Sequence, residues 1–157
     1  SDEMIIVNLQ GDNALMPSKN IDQVAKLLFD NPAYSIATLA TNFLSKDEEE
    51  DENAVKVFFD KETNEAITFK RQLKTYGNTS VNYMRHIGIY AYTRSSLRTF
   101  SDSEPSSEEE EEKLEQLRAY NLKLRIIVGK ASITPGPDVD TYEDLLLVNS
   151  IYKNPKK

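Results

Sequence analysis

The sequence predicts an α/β chain in which a mixed sheet is flanked by helices. Three observations lead there. Apolar runs of strand length occur at Met4 to Leu9 and at Met84 to Tyr92. Between them Ile21, Val24, Leu27 and Leu28 recur at helical spacing, so strand and helix alternate as in a layered domain. A close succession of strand-like segments from Ala54 to Tyr92 leaves no room for crossover helices, which argues against a purely parallel sheet.

Along the chain, Met4 to Val7 is long enough for a buried strand, and Gly11 provides a tight exit that holds Asp12 just past the strand's carboxyl end. Pro17-Ser18 marks a helix start with Ser18 as its cap, and Asn31-Pro32 ends that helix. Tyr34 to Leu39 reads as a second strand. Ser45 to Glu52 (SKDEEEDE) has no apolar residue and is expected to be a solvated loop. Ala54 to Phe59 and Ala66 to Phe69 read as strands joined by a turn over Asp60 to Asn64, and Gly77-Asn78 as a hinge. Met84 to Tyr92 is expected at the centre of the sheet, followed by a short helical turn over Ser95 to Phe100. Ser106 or Ser107 then caps a helix whose first turn is rich in Glu, with Leu114 and Leu117 facing the core and Asn121 at its end. Leu124 to Val128 is a further strand, and Thr134-Pro135-Gly136-Pro137 a rigid loop. The final helix, after Thr141, is expected to bury Leu145, Leu146, Val148 and Ile151, with a frayed tail over Asn154 to Lys157.

With 157 residues, 39% of them apolar, the chain reads as a single domain over 1–157 with a real core. A formal net charge of -7 without any Lys/Arg stripe argues against a nucleic-acid partner. Cysteine is absent, so neither a disulfide framework nor thiolate chemistry is available, as suits a cytoplasmic protein. No apolar run reaches membrane-spanning length, so no membrane insertion is expected. The chain enters an apolar strand almost at once, the pattern expected of a piece of something longer.

Two acids stand out. Asp12 lies at a strand exit and Asp140 precedes the last helix. Carboxylates on separate loops at one sheet edge can hold a divalent cation against phosphate oxygens. The same residues also read as a turn acid and a helix cap. His86 is the one histidine of the chain, and Tyr90, four residues on, shares its strand face. That face suits an anionic or polyhydroxyl ligand, or plain aromatic packing. Arg71, just past a strand, has the fork geometry for a carboxylate or phosphate, or for a solvated strand end. Glu115 and Gln116, read as adjacent positions on a helix, reach one ligand only at that helix's edge.

Taken together, VNLQGD, ENAVKVFFD, MRHIGIYAY, EKLEQLRAY and DVDTYEDLLLV resemble, in order and separation, the C-terminal portion of the 3-deoxy-manno-octulosonate (Kdo) cytidylyltransferases, or CMP-Kdo synthetases. The resemblance implies a truncated nucleotide-diphospho-sugar transferase-like fold and a homodimer, or a complementary N-terminal chain. It places Asp12 and Asp140 at the family's catalytic, magnesium-associated acids. Gln10, Arg71, His86, Tyr90, Glu115 and Gln116 fall at positions of the sugar-acid pocket. It further implies Mg2+, CTP and Kdo for the complete enzyme, which activates Kdo for lipopolysaccharide synthesis. The departures are specific. The basic glycine-rich loop that cradles the triphosphate has no counterpart here. Asn13-Ala14 replaces an acid and proline, Lys70 replaces a serine, and Ser107 with five glutamates replaces an apolar Pro-Leu stretch. The expectation is therefore a portion of a cytidylyltransferase, inactive without the remaining half. The alternative is a non-catalytic structural or oligomerisation module derived from the same fold.

Overall fold

A computed structural model describes residues 4–73 and 80–153. The hinge expected at Gly77-Asn78 and the tail at 154–157 lie outside the described residues. The sheet contains β1 (Ile5–Leu9), β2 (Ile36–Thr41), β3 (Lys56–Asp60), β4 (Ala66–Lys70), β5 (Val81–Thr93) and β6 (Ile126–Lys130). The expected mixed sheet is observed. Its order is β4-β3-β5-β2-β6, with β1 also paired to β5, and only β2–β6 is a parallel pair.

The length of β5 organises everything else. One of its edges carries β3 along Val81–Arg85 and β1 along Ile89–Thr93, while β2 runs down the other. At the far rim the sheet curls. Val128 N–H donates to the Asn64 carbonyl at 2.9 Å, and Glu65 bridges Ile127, so β4 and β6 lean on each other.

Helix α1 (Ser18–Asp30) covers one face, packing Val24 and Leu28 against Ala37, Leu39, Ile87 and Ile89. Its cap is Pro17 rather than Ser18, because φ −63° with ψ 133° leaves the helical region at Pro17 and Ser18 is already the first helical residue. Fully buried Asn20 ties the helix to the loop after β6, donating to Ile133 O at 2.7 Å and accepting from Ile133 N at 3.2 Å. The other face packs Phe69, Tyr90, Tyr92, Phe100, Leu114 and Leu117 beneath the later helices.

Several expectations change. The acidic block is not a loop, since Lys46–Glu50 forms helix α2, capped by Ser45 accepting from Glu48 N at 3.1 Å. It buries no residue, and Glu48 and Glu49 tie it to Arg85 and Tyr83 of β5. The segment expected as one helix to Asn121 breaks into α4 (Ser107–Glu112), a 3-10 turn (Glu115–Leu117) and α5 (Arg118–Asn121), following α3 (Arg94–Ser101). The break falls at Lys113, whose φ of 54° ends α4 in the left-handed region. Strand β2 begins at Ile36 rather than Tyr34, and β6 at Ile126 rather than Leu124. Strand β1 is half-buried and ends in exposed residues instead of lying inside the sheet. Helix α6 (Tyr142–Lys153) buries only Val148. Leu145, Leu146 and Ile151, expected inside, are 41%, 53% and 38% exposed.

Candidate functional site

The eight residues singled out in the sequence line one cleft of about 1210 Å³: Gln10, Asp12, Arg71, His86, Tyr90, Glu115, Gln116 and Asp140. They come from five separated stretches of chain. β5 supplies His86 and Tyr90 along its length, and the β1 exit supplies Gln10 and Asp12. Arg71 follows β4, the 3-10 turn delivers Glu115 and Gln116, and the loop before α6 delivers Asp140.

The two acids are brought together by backbone contacts. Gln10 O accepts from Asn13 N at 3.1 Å, which closes a turn around Gly11-Asp12, and Val139 N–H donates to Asp12 O at 2.9 Å. Gly136 permits that approach, because a Cβ there would stand 2.8–2.9 Å from the Leu15 side chain. Asp138, not anticipated from the sequence, faces the same space. Its carboxyl is pushed up, first by lost hydration, and Asp12, Asp140 and Asp144 push the same way while Arg85 opposes them. This loop therefore concentrates negative charge. Among the described residues, no three acidic or histidine side chains converge as a complete metal centre. The donor set suits a cation that takes one or two carboxylates and completes its shell from phosphate oxygens and water, as Mg2+ does.

The half of the cleft around His86 has a different character. His86 packs edge-on to Phe69 at 4.9 Å and tilted to Tyr90 at 5.4 Å. Burial drives its pKa down to about 3, so the imidazole is neutral. Thr38 Oγ1 lies 2.8 Å from His86 Nε2 and directs its own proton to the Ile89 carbonyl at 2.8 Å. Nε2–H therefore donates to Thr38, and Nδ1 is left as an acceptor. A neutral imidazole with a free acceptor orients a hydroxyl rather than pairing with an anion. Tyr90 and Gln116 are buried at 3% and 6% exposure, and Gln10 Nε2 donates to Glu115 Oε1 at 3.3 Å.

Arg71 is not a loose strand-end cation. It donates to the carbonyls of Glu112 at 3.0 Å, Lys113 at 3.3 Å and Glu52 at 3.4 Å, so its guanidinium fastens both acidic segments beside the cleft. Three of its five N–H donors are thereby engaged. Lys56, fully buried, holds the same region by donating to Asp51 O at 2.6 Å and Arg71 O at 2.8 Å. Desolvation lowers its pKa, against the pull of Asp51, Glu52 and Glu49.

Asn13, and Arg85 immediately before His86, join the site beyond the candidates singled out in the sequence. Asn13 Nδ2 donates to Asp12 Oδ1 at 3.0 Å and fixes that carboxylate. Arg85 pairs with Glu48 at 2.6 Å while lining the cleft. Strict strand alternation separates Arg85 from His86, and nothing in the sequence signals that both reach one cleft.

Comparison with known proteins places this geometry. The chain is 40% identical over 161 residues to the 3-deoxy-manno-octulosonate cytidylyltransferase of Photorhabdus laumondii, covering 97% of itself and 64% of that protein. The corresponding protein of Dichelobacter nodosus is 38% identical over 156 residues, with 97% and 62% covered. The chain thus spans somewhat less than two thirds of the length of these relatives. A solved CMP:2-keto-3-deoxy-manno-octonic acid synthetase complexed with CTP superposes with a TM-score of 0.85 at 31% identity, over 97% of this chain and 63% of that one. A putative glucose-1-phosphate thymidylyltransferase from Bacillus anthracis, at 14% identity and TM-score 0.55, shares the fold alone over 99% of this chain and 57% of its own. The family described as cytidylyltransferase matches residues 1–126, and on that match the chain belongs to the cytidylyltransferase family.

Proposed function

We propose that this chain carries the sugar-acid side of a cytidylyltransferase that makes CMP-Kdo and pyrophosphate from CTP and Kdo. Such an enzyme activates the sugar in the cytoplasm for lipopolysaccharide synthesis. We further propose that the chain alone turns over poorly, and that it works with a complementary N-terminal portion or as a homodimer. The observation that supports the reading is the cleft itself, where a neutral, aromatic half around His86 adjoins a carboxylate loop.

In this reading the sugar hydroxyl attacks the α-phosphorus of CTP directly, and pyrophosphate leaves. His86 Nδ1, Gln116 and Gln10 fix the sugar hydroxyls, with Tyr90 walling the pocket and Glu115 holding Gln10. Arg71 offers its two remaining N–H donors to the sugar carboxylate. Asp12, oriented by Asn13, and Asp140 would hold a magnesium ion, which when bound offsets charge on the phosphate oxygens. Nothing in the cleft calls for a covalent enzyme intermediate. Positioning and electrostatics suffice.

The test is an NMR titration of the 15N-labelled chain. Kdo is expected to shift the amides of His86, Tyr90 and Gln116 saturably, while CTP alone gives no saturable shift at those three. A folded chain in which Kdo shifts none of them would overturn the assignment and favour a structural module.

A further inference from the structure

We propose that Arg85 is a phosphate-binding residue of the cleft, taking two oxygens of one phosphoryl group on the guanidinium edge that carries Nε–H. The inference deepens the function proposed above and rests on it for the identity of the anion.

Arg85 lines the cleft but takes no part in the steps proposed above. Glu48 accepts from its Nη1 at 2.6 Å, and the two side chains are each 19% exposed. Among the described residues, its Nε–H is buried and has no hydrogen-bond partner. A buried donor left unpaired is costly enough to call for a partner that arrives from outside the chain. The covalent geometry of the side chain says which partner fits. Nη1, held by Glu48, lies across the guanidinium from Nε–H, while Nε–H and the neighbouring Nη2–H run parallel along the opposite edge. That edge matches two oxygens of one carboxylate or phosphoryl group. Glu48 also fixes the fork in advance. Its second oxygen accepts from Leu44 N–H at 2.5 Å, and its own N–H donates to Ser45 Oγ at 3.1 Å, so the guanidinium is oriented before any ligand arrives.

The place of Arg85 in the cleft favours phosphate over carboxylate. In the β2–β5 register Arg85 stands opposite Thr41, whose Oγ1 lies 3.1 Å from Thr134 Oγ1 at the head of the loop that carries Asp138 and Asp140. Its charge acts on the Asp138 carboxyl, against the push of Asp12, Asp140 and Asp144. Arg85 is therefore the arginine beside the carboxylate loop, where a cation on Asp12 and Asp140 would gather phosphate oxygens. Arg71 is fastened instead to Glu52, Glu112 and Lys113, and is the arginine assigned to the sugar carboxylate. One guanidinium edge grips a single phosphoryl group and does not align a triphosphate, in keeping with poor turnover by the chain alone.

The experiment follows the Arg85 Nε–H resonance of the full chain, labelled with 15N and 13C and assigned through its own side-chain carbons, as pyrophosphate is added in the presence of magnesium. A saturable downfield shift of that resonance is expected. Arg85→Lys keeps a positive charge beside Glu48 but has no planar fork, so it should melt cooperatively and bind pyrophosphate about tenfold more weakly. An Nε–H resonance that pyrophosphate leaves unmoved overturns the proposal, and this holds even where the variant fails to fold. Undiminished binding by a folded Arg85→Lys overturns it too, because charge alone would then suffice. A shift at Arg85 produced by Kdo and not by pyrophosphate overturns the choice of phosphate. Kdo also separates this claim from the function it rests on. Pyrophosphate shifts at Arg85, with no Kdo shift at His86, Tyr90 or Gln116, leave the phosphate site standing and refute the sugar-site assignment alone.

Discussion

Acidification is expected to destabilise this protein through His86 specifically. The ordinary histidine pKa of 6.5 falls to about 3 in the folded chain. Between those values the unfolded chain binds a proton that the folded chain refuses, so stability is intact above 6.5 and is lost as pH falls toward 3. The full span is worth up to roughly 4–5 kcal/mol, and at about pH 4.5 the expected penalty is roughly 2–3 kcal/mol. His86 lines the open cleft, which sets the expected figure toward the lower end of that range. Carboxylates such as Glu65 and Glu109, held low by arginine partners, also lose stability in acid, so the measurement is a difference. Urea unfolding of wild type and His86→Gln across this range should show the variant losing roughly 2–3 kcal/mol less by about pH 4.5. Parallel curves for the two proteins would show that His86 is hydrated and titrates normally.

Removing Arg118 is expected to have a comparable effect at neutral pH. Its guanidinium grips Glu109 through two bonds of 2.5 and 2.8 Å, and donates to Phe100 O and Ser103 O at 3.3 and 3.2 Å. It also sits 4.8 Å over the Phe100 ring. The two side chains are only 15% and 12% exposed, so solvent screens the pair weakly. Glu109 is also the closing residue of the α4 capping box. Arg118→Ala therefore strands a poorly hydrated carboxylate and unties α3 from α4 together, at an expected cost of roughly 3–5 kcal/mol. Combining Arg118→Met with Glu109→Gln should recover part of that loss, because much of it is the unpaired charge. A loss below about 1 kcal/mol for Arg118→Ala would place the pair among ordinary surface ion pairs.

What the sequence disclosed follows from which forces leave a pattern in it. The strands and α1 were legible because burial selects apolar residues at fixed periods, as at Ile87 and Ile89 or Val24 and Leu28. Helix α2 buries nothing, so no periodicity marks it. Its signal was the Ser45-x-x-Glu48 spacing of a helix start, which the run of acids obscured. The break at Lys113 carries no glycine or asparagine to announce a left-handed residue. Leu145, Leu146 and Ile151 were misplaced because an apolar pattern shows that a surface requires cover without saying which polypeptide provides it. At the site, Asp12, Asp140 and His86 could be named from loop position and resemblance. Asp138, Asn13 and Arg85 enter through the folding of separate loops onto one another, which local spacing does not encode.

The central claim is that this chain holds the sugar-acid side of a cytidylyltransferase site and depends on a complementary portion for turnover. Pyrophosphate release from CTP, Kdo and magnesium tests it most directly, measured with purified chain alone, with the remainder of the Photorhabdus laumondii protein added, and with Asp12→Asn plus Asp140→Asn in the added mixture. The expected result is negligible release from the chain alone, because among the described residues the cleft arginines Arg71 and Arg85 are already engaged by protein partners and leave the triphosphate poorly aligned. Release should appear on addition and fall by about two decades in the double variant. Robust release by the isolated chain, abolished by the same two substitutions, would contradict the dependence on a second portion. A folded mixture that binds the added portion and still releases no pyrophosphate would contradict the assignment of the site.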